Sequence, residues 1–338
     1  MAEVRASCLP YEVYARADRL THDEWLEMRR TGLGGSDAGA IMGVHPYRGA
    51  YAVWADKKGL APAVEDNEAM RQGRDMEEYV ARRFTEKTGL KVRRNHAMMR
   101  SKAHPCMVAN IDRQVLGRSA GLECKTSRDM YMTRYKNGEI PLEYYCQCVH
   151  YMAVTNLEAW YLAVLVYGTD VLVYKLCRSG ARMDIEEGVT AVIEVTDDDL
   201  DGLIDAEESY WANYIEGDLT PMPDSLEATG KLIGEMYAES DGETMDADEE
   251  ADELLGELVE LKAEKKALDK RIGAIENHLK VKMGTAEVLR GRNALVTWKA
   301  QERRTIDAGL LVKRYPQVNV ATVTKVSTSR VFKIKEAE

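Results

Sequence analysis

The spacing of apolar residues predicts alternating helices and strands over the first two thirds of the chain. Recurrence every three or four positions predicts helices over residues 21–30, 36–42, 50–58, 67–88, 141–154 and 200–216. Short alternating or continuous apolar runs predict strands at residues 90–95, 97–101, 107–113, 121–127, 159–167 and 170–177. This mixture predicts an α/β domain that spans residues 1–225, with a hairpin around 116–120.

The last third of the chain has a different pattern. We expect an acidic linker at 226–253, a heptad-patterned helix at 254–284 and a small basic α+β region at 285–338. The heptad seam consists of Leu254, Leu258, Leu261, Lys265, Leu268, Ile272, Ile275 and Leu279. This seam is compatible both with an intermolecular coiled coil and with a helix packed on its own domain. Short strands are predicted near 289, 296–298 and 331–334, and a helix near 307–314.

Composition and charge exclude several classes of protein. The chain has 338 residues, 45% of them hydrophobic, so it can bury a core and is not disordered throughout. No apolar run is long enough for a membrane span and no signal pattern begins the chain, so we expect a cytoplasmic protein without a membrane partner. The six cysteines contain no CxxC pair and are expected to be reduced thiols.

The net charge of −11 argues against nucleic-acid binding by the whole surface, but the charge is unevenly distributed. Residues 71–102 contain ten Lys or Arg against four acids, and residues 285–338 contain eleven against five. Two basic segments could therefore contact a phosphate backbone. The aromatic residues of the C-terminal region could stack on DNA, or could form the core of a small domain.

The candidate chemistry lies in Asp112 and, ten residues later, Glu123-Cys-Lys125. Side chains alternate along a strand, so Glu123 and Lys125 share a face, and a hairpin brings Asp112 beside them. Two carboxylates are hard oxygen ligands that suit Mg²⁺, and the lysine can offset charge on a phosphoryl transition state. A salt-bridged surface hairpin is the alternative explanation of the same residues.

Four residues outside this motif are further candidates. Glu77 could supply another metal ligand, or be an ordinary acid on a helix face. Gln147 lies among apolar residues of a helix, where a buried amide needs a polar partner such as an active site. Arg29 and Ser36 flank a glycine-rich helix start that could hold a phosphate, although Ser36 could also be a plain helix cap.

The order of these motifs resembles a known family. Gly34-Gly-Ser-Asp-Ala, Gly73-x3-Glu, Asp112-x10-Glu-x-Lys and Gln147-x2-His-Tyr-Met look like the YqaJ viral recombinase family, which is similar to the exonuclease of phage lambda. The resemblance covers roughly residues 24–223. It implies a restriction-endonuclease-like core of the PD-(D/E)xK type, with a central mixed β-sheet flanked by helices. The usual proline before the motif aspartate is Ile111 here.

The resemblance also implies an activity and roles for individual residues. The activity is Mg²⁺-dependent 5′→3′ digestion of double-stranded DNA ends, with Mn²⁺ as a substitute, and it leaves 3′ single-stranded tails. Such enzymes act with a single-strand annealing protein, and some form homo-oligomers such as ring-shaped trimers. The implied metal ligands are Glu77, Asp112, Glu123 and the carbonyl of Cys124. Lys125 and Gln147 belong to the implied catalytic centre, and Arg29 and Ser36 to the implied 5′-phosphate site.

Other functions remain compatible with the residues. One is an endonuclease on the same fold, or a CRISPR-associated nuclease with four cysteines for an iron–sulfur cluster, although the cysteines of this chain are placed differently. Another is a DNA-binding scaffold without activity, which has no need to keep two mutually repelling carboxylates together.

Overall fold

The computed structural model describes residues 9–62, 67–129, 134–167, 170–181, 184–302, 307–315 and 317. The chain divides into two compact units, residues 1–237 and residues 238–338, and each is considered by itself. This division falls later than the domain end predicted at residue 225. The expected strand at 331–334 lies outside the described residues.

The described part of the first unit contains seven α-helices. They are α1 (His22–Arg30), α2 (Gly35–Ile41), α3 (Ala50–Lys57), α4 (Glu68–Thr88), α5 (Leu142–Thr155), α6 (Asp197–Tyr210) and α7 (Glu227–Met236). Local signals explain several of their ends. The hydroxyl of Thr21 accepts from the backbone of Glu24 in a capping box that starts α1. Gly89 ends α4 with a φ of 73°, a left-handed conformation that glycine adopts without strain.

Nine strands in the described part of the first unit form two sheets. Their bounds are β1 (Tyr11–Arg16), β2 (Val92–Arg94), β3 (Ala97–Ser101), β4 (Val108–Ala109), β5 (Arg113–Val115), β6 (Ala120–Ser127), β7 (Ala159–Val166), β8 (Val171–Arg178) and β9 (Ala191–Val195). The larger sheet has the order β2-β5-β6-β7-β8-β9 and the smaller has the order β1-β3-β4. The larger sheet is mixed, because β6–β7 and β8–β9 are parallel and its other pairs are antiparallel.

Strand β7 is buried on both faces, and its side chains alternate between two hydrophobic clusters. Trp160 and Leu162 belong to the cluster that includes residues of α5. Tyr161 and Ala163 belong to the cluster that includes Phe84 of α4. Helices therefore cover both faces of the central sheet, and the expected α/β architecture of a mixed sheet flanked by helices is confirmed.

One predicted strand differs from the structure in a way that affects the site. The apolar run at 107–113 does not form one strand, because β4 ends at Ala109 and β5 begins at Arg113. Strand β4 pairs with β3 in the smaller sheet, whereas β5 pairs with β6 in the larger one. Asp112 therefore lies where the chain passes between two sheets, immediately before the predicted hairpin. A burial pattern cannot reveal this change, since both strands are buried.

The structure contains elements that were not predicted. Strands β1 and β9 lie at sheet edges, and helix α7 lies within the stretch that was predicted to be a linker. The helix predicted at 200–216 starts earlier, at Asp197, and continues after Tyr210 as a π-helical segment to Glu216.

The second unit contains the long helix α8 (Glu249–Met283), the antiparallel strands β10 (Val288–Arg290) and β11 (Leu295–Thr297), and helix α9 (Ala308–Arg314). The predicted heptad helix is thus present, extended by one turn at its start. No helix among the described residues is both long enough and apolar enough to cross a membrane.

Glycine at position 121 is required for packing between β6 and β7. A Cβ atom there would lie 2.3 to 2.6 Å from three atoms of the six-membered ring of Trp160, which is fully buried. We therefore expect Gly121→Ala to destabilise the first unit by about 1–3 kcal/mol, the usual effect of overpacking. Gly202→Ala is the control, because Gly202 lies in α6 with open space around it and alanine favours a helix. Denaturant unfolding tests this, and equal midpoints for Gly121→Ala and wild type would contradict it.

Candidate active site

The motif carboxylates meet at the junction of β5 and β6. Arg113 pairs with Leu122 across these strands, which places Asp112 and Glu123 next to each other at the following position. Asp112 is fixed there because its Oδ2 accepts a 2.8 Å hydrogen bond from the backbone N–H of Cys124. The sequence prediction that the hairpin brings these two carboxylates together agrees with this geometry.

Glu123 is buried, with 4% of its surface exposed, and is held from two sides. The ammonium of Lys125 lies 2.7 Å from Glu123 Oε1, so the two side chains share one face of β6. The side-chain amide of Gln147 donates a 2.7 Å hydrogen bond to the same oxygen. The other carboxylate oxygen, Oε2, is buried and has no hydrogen-bond partner in the described protein. One oxygen of Glu123 is therefore saturated and the other is available for a ligand.

A second hydrogen bond, to Tyr151, also fixes the position of Gln147. Its amide donates to the hydroxyl of Tyr151, one helical turn further along α5, at 3.0 Å. The Tyr151 hydroxyl donates in turn to the backbone carbonyl of Asn110, at 3.4 Å. Tyr151 was not predicted as a site residue, although its spacing of four from Gln147 places both side chains on one helix face.

Burial and negative neighbours dominate the electrostatics of the site. Burial, the charge of Glu123 and the charge of Glu77 raise the pKa of Asp112 well above its usual value, and the charge of Lys125 offsets this only in part. Burial alone would lower the pKa of Lys125, but the charge and hydrogen bond of Glu123 raise it above its usual value. Lys125 is therefore a cation at neutral pH, facing a pair of carboxylates that favours a further positive charge.

The donor set fits a hard divalent cation. Asp112 and the unpartnered Oε2 of Glu123 supply adjacent carboxylate oxygens, the ligands that Mg²⁺ prefers. The side chain of Cys124 packs on the opposite face with the cluster around Phe84, so only its backbone could take part. Among the described residues, no three His, Cys, Asp or Glu side chains are grouped closely enough to hold a metal ion by themselves.

Glu77 is close to the site but is engaged by arginines. Its carboxylate forms a close ion pair with Arg113 and a 3.2 Å ion pair with Arg94. Arg113 is almost fully buried and also binds Glu78, at 2.9 Å. The role of Glu77 as a metal ligand stays a prediction, and it would require Glu77 to exchange an arginine contact for a metal. Sequence reasoning missed Arg113, which carries no motif signal because it follows the aspartate as an ordinary strand residue.

Arg29 and Ser36, the predicted phosphate residues, are in direct contact. A guanidinium nitrogen of Arg29 donates a 2.9 Å hydrogen bond to the hydroxyl of Ser36, and the guanidinium lies over the ring of Trp25. Ser36 is not the helix cap: Gly34 precedes α2, and Asp37 accepts the Gly34 N–H at 2.9 Å. The interpretation of Ser36 as a plain cap is therefore wrong, and its hydroxyl is directed to Arg29 instead.

A buried group of ion pairs around Asp37 supports the second candidate site, which consists of Arg29 and Ser36. Asp37 is fully buried and lies 2.8 Å from the ammonium of Lys57 and 2.6 Å from the guanidinium of Arg48. Burial alone would raise the pKa of Asp37, but these cations hold it well below its usual value. Lys57 also donates to the backbone carbonyl of Arg29, at 3.1 Å, so it joins the end of α1 to the start of α2.

The two sites adjoin each other through Gly35. A Cβ atom at this position would lie 2.7 Å from the ring of Tyr151 and 3.1 Å from Cγ of Gln147. The start of α2 can therefore approach α5 closely only because residue 35 has no side chain. Ser36 thus lies on a helix start that contacts Tyr151 and Gln147, and Arg29 reaches Ser36 from the end of α1.

Comparison with known proteins places the chain among relatives. The YqaJ-like viral recombinase domain matches residues 24–158. The uncharacterized protein YqaJ of Bacillus subtilis (strain 168) is 31% identical over 329 residues, which cover 96% of this chain and 98% of that protein.

Two solved structures are also similar. An alkaline exonuclease from Laribacter hongkongensis has a TM-score of 0.44 and 19% identity, covering 57% of this chain and 93% of its own. A phage related exonuclease from Haemophilus somnus 129PT has a TM-score of 0.37 and 14% identity, covering 56% of this chain and 96% of its own. The full-length similarity to the Bacillus subtilis protein shows that the chain belongs to the YqaJ-like viral recombinase family.

Proposed function

We propose that this protein is a Mg²⁺-dependent exonuclease that digests double-stranded DNA from 5′ ends and leaves 3′ single-stranded tails for recombination. The observation that carries the proposal is the state of Glu123. One of its oxygens is fixed by Lys125 and Gln147, while the other is buried beside Asp112 without a hydrogen-bond partner among the described residues. A purely structural buried carboxylate would have both oxygens satisfied, since an unsatisfied one is costly.

The residues of the site suit phosphodiester hydrolysis. Asp112 and Glu123, with Glu77 and the carbonyl of Cys124 as further candidates, would hold Mg²⁺ or Mn²⁺, which supplies Lewis-acid polarisation of the scissile phosphate and lowers the pKa of an attacking water. The charge of Lys125 can stabilise the negative charge that develops on the phosphoryl oxygens. Gln147 keeps Glu123 in a fixed orientation, so the unpartnered oxygen stays directed into the site.

Arg29 and Ser36 suit the recognition of a DNA end. A guanidinium and a hydroxyl in contact form a small donor group that a terminal phosphate would occupy through charge-assisted hydrogen bonds. Hydrolysis at the 3′-oxygen of each released nucleotide would leave a new 5′-phosphate on the shortened strand. The same two residues could then bind the end before every cut, which gives the proposed 5′→3′ direction a physical basis.

The proposal extends to location and partners. Membership of a viral recombinase family favours action on linear DNA in the cytoplasm of a bacterial host. The 3′ tails would pass to a single-strand annealing protein, and the enzyme could act as a homo-oligomer, a trimer included.

Digestion of duplex DNA labelled at either end of one strand tests the activity. We expect early release of the 5′ label as mononucleotide with Mg²⁺ or Mn²⁺ and none with EDTA. Glu123→Gln should be inactive, and Lys125→Met should lower turnover by about 100-fold or more, because it removes a charge that acts on the transition state. The control is Lys91→Met, an exposed lysine of the same unit.

The outcomes of this experiment separate the alternatives. Release of internal fragments would indicate an endonuclease, and binding without any metal-dependent cutting would indicate a scaffold. Near wild-type turnover of Lys125→Met would remove the lysine from the mechanism even if the exonuclease activity is found.

The end-recognition role of Arg29 has a selective test. Arg29→Ala should slow digestion of 5′-phosphorylated duplexes by roughly tenfold or more, the effect of losing hydrogen bonds to a charged group, and should change unphosphorylated duplexes little. Arg30→Ala is the matched control, because Arg30 is adjacent and approaches Asp56 instead, at 3.7 Å. Equal losses on both substrates would refute a role in reading the 5′-phosphate.

The raised pKa of Asp112 predicts how the metal-free protein responds to pH. A carboxyl whose pKa is higher in the folded state binds its proton more tightly there, so stability falls as pH rises from its unfolded pKa to its folded one. Asp112→Asn keeps the acceptor for Cys124 but removes the charge. We expect it to stabilise the metal-free protein at neutral pH by about 1 kcal/mol, or a few degrees in Tm, and to reduce stabilisation by Mg²⁺.

Thermal unfolding with and without Mg²⁺, over a pH series, measures both effects without any assay of activity. Asp75→Asn, which changes an exposed acid of α4, is the control and should leave both unchanged. If Asp112→Asn retained the full stabilisation by Mg²⁺, Asp112 would not be a metal ligand.

A further inference from the structure

Helix α8 presents an apolar seam to solvent. It has 35 residues, which corresponds to a length of about 52 Å. Its heptad seam runs from Leu254 to Leu279, and most of its members are strongly exposed, with Leu261 at 52%, Leu268 at 53% and Ile275 at 63%. A stripe of this length normally lies against another helix, since a lone helix gains little from exposed leucines.

The charge along α8 indicates what kind of helix would cover this seam. Residues 249–260 contain six acids and no base, whereas residues 262–283 contain seven Lys or Arg and three acids. One end of the helix is therefore acidic and the other basic. A second copy of α8 in the opposite direction would place each acidic end beside a basic one.

We propose that α8 binds a second copy of this chain as an antiparallel two-helix coiled coil, centred between Lys265 and Leu268. In this register every seam position meets a seam position of the other copy. The layers are Leu254 with Leu279, Leu258 with Ile275, Leu261 with Ile272, and Lys265 with Leu268. Each layer forms twice by symmetry, so the interface closes on two copies.

The residues that flank the seam support this direction. In the antiparallel register, Lys262 of one copy faces Asp269 of the other, Glu264 faces Arg271, and Glu257 faces His278. None of these charged pairs has like charges.

A parallel pair of the same helices is less favourable. It would place Lys265 opposite Lys265 inside the seam and Glu264 opposite Asp269 on its flank. In the antiparallel pair, each Lys265 lies against Leu268 instead, and its long side chain can reach past the leucine to water. The lysine that weakens the seam therefore also selects the direction of pairing.

The first test is the oligomeric state of the full chain by sedimentation. We expect Leu261→Asp to sediment with half the mass of wild type at the same concentration: a dimer becomes a monomer, or two paired trimers become single trimers if the chain also forms a ring. The matched control is Ala263→Asp, which introduces the same charge two residues away, on the outer face of α8, and should remain dimeric. A monomeric wild type, or a dimer unaffected by Leu261→Asp, would overturn the proposal.

A charge swap distinguishes the two directions. Asp269→Lys places two lysines opposite each other in the antiparallel pair and should weaken the dimer at least tenfold, and adding Lys262→Asp should restore it. In a parallel pair, Asp269→Lys would instead face Glu264 and strengthen the dimer. Strengthening by the single substitution would therefore contradict the antiparallel arrangement.

Cysteine cross-linking reads the direction independently. A mixture of Leu254→Cys and Leu279→Cys chains should form disulfide-linked dimers, whereas neither variant should cross-link alone, since these positions lie about 38 Å apart along one helix. Wild type under the same oxidant controls for the native cysteines. Cross-linking of either variant with itself would indicate parallel pairing and overturn the proposed register.

Discussion

The burial of a charged carboxylate at Glu123 is the constraint on which the arrangement of the first unit depends. A carboxylate removed from water is costly unless cations and hydrogen-bond donors surround it. Lys125 satisfies part of this requirement from the same strand, and Gln147 satisfies another part from α5. Helix α5 must therefore lie at a fixed position over the sheet. The need of Glu123 for polar partners thus fixes the relative position of elements that are distant in sequence.

The same requirement extends to the N-terminal helices. The glycine at position 35 allows α2 to approach Tyr151 and Gln147, and the buried Asp37 ties α2 to α3 through Lys57. The contact between Arg29 and Ser36 is thus supported by a buried ion pair rather than by its own strength, which would be small at an exposed position. A rigid base of this kind is what a site for a charged ligand needs, because binding then orders few side chains.

The sequence alone was sufficient to predict the features that depend on local chemistry. The heptad seam, the capping box at Thr21 and the alternation of Glu123 and Lys125 are all encoded over a few residues, and the structure contains each of them. The sequence was insufficient to predict features in which residues far apart in the chain pair with each other. The break between β4 and β5 reflects two different sheets, and the engagement of Glu77 by Arg113 joins residues 36 positions apart. Neither has a periodicity that a single sequence could display.

The path of the chain through the two neighbouring sites has a consequence for how the protein could evolve. Asp112, Glu123, Lys125 and Gln147 come from one continuous stretch, whereas Arg29 and Ser36 come from helices that precede the larger sheet. The two groups are joined at a surface where a glycine contacts an aromatic ring. Under the proposed function, variation in the N-terminal helices would change which DNA ends are accepted while the residues of the hydrolytic site are inherited unchanged. Loss of the proposed end selectivity would then be a smaller evolutionary step than loss of cleavage.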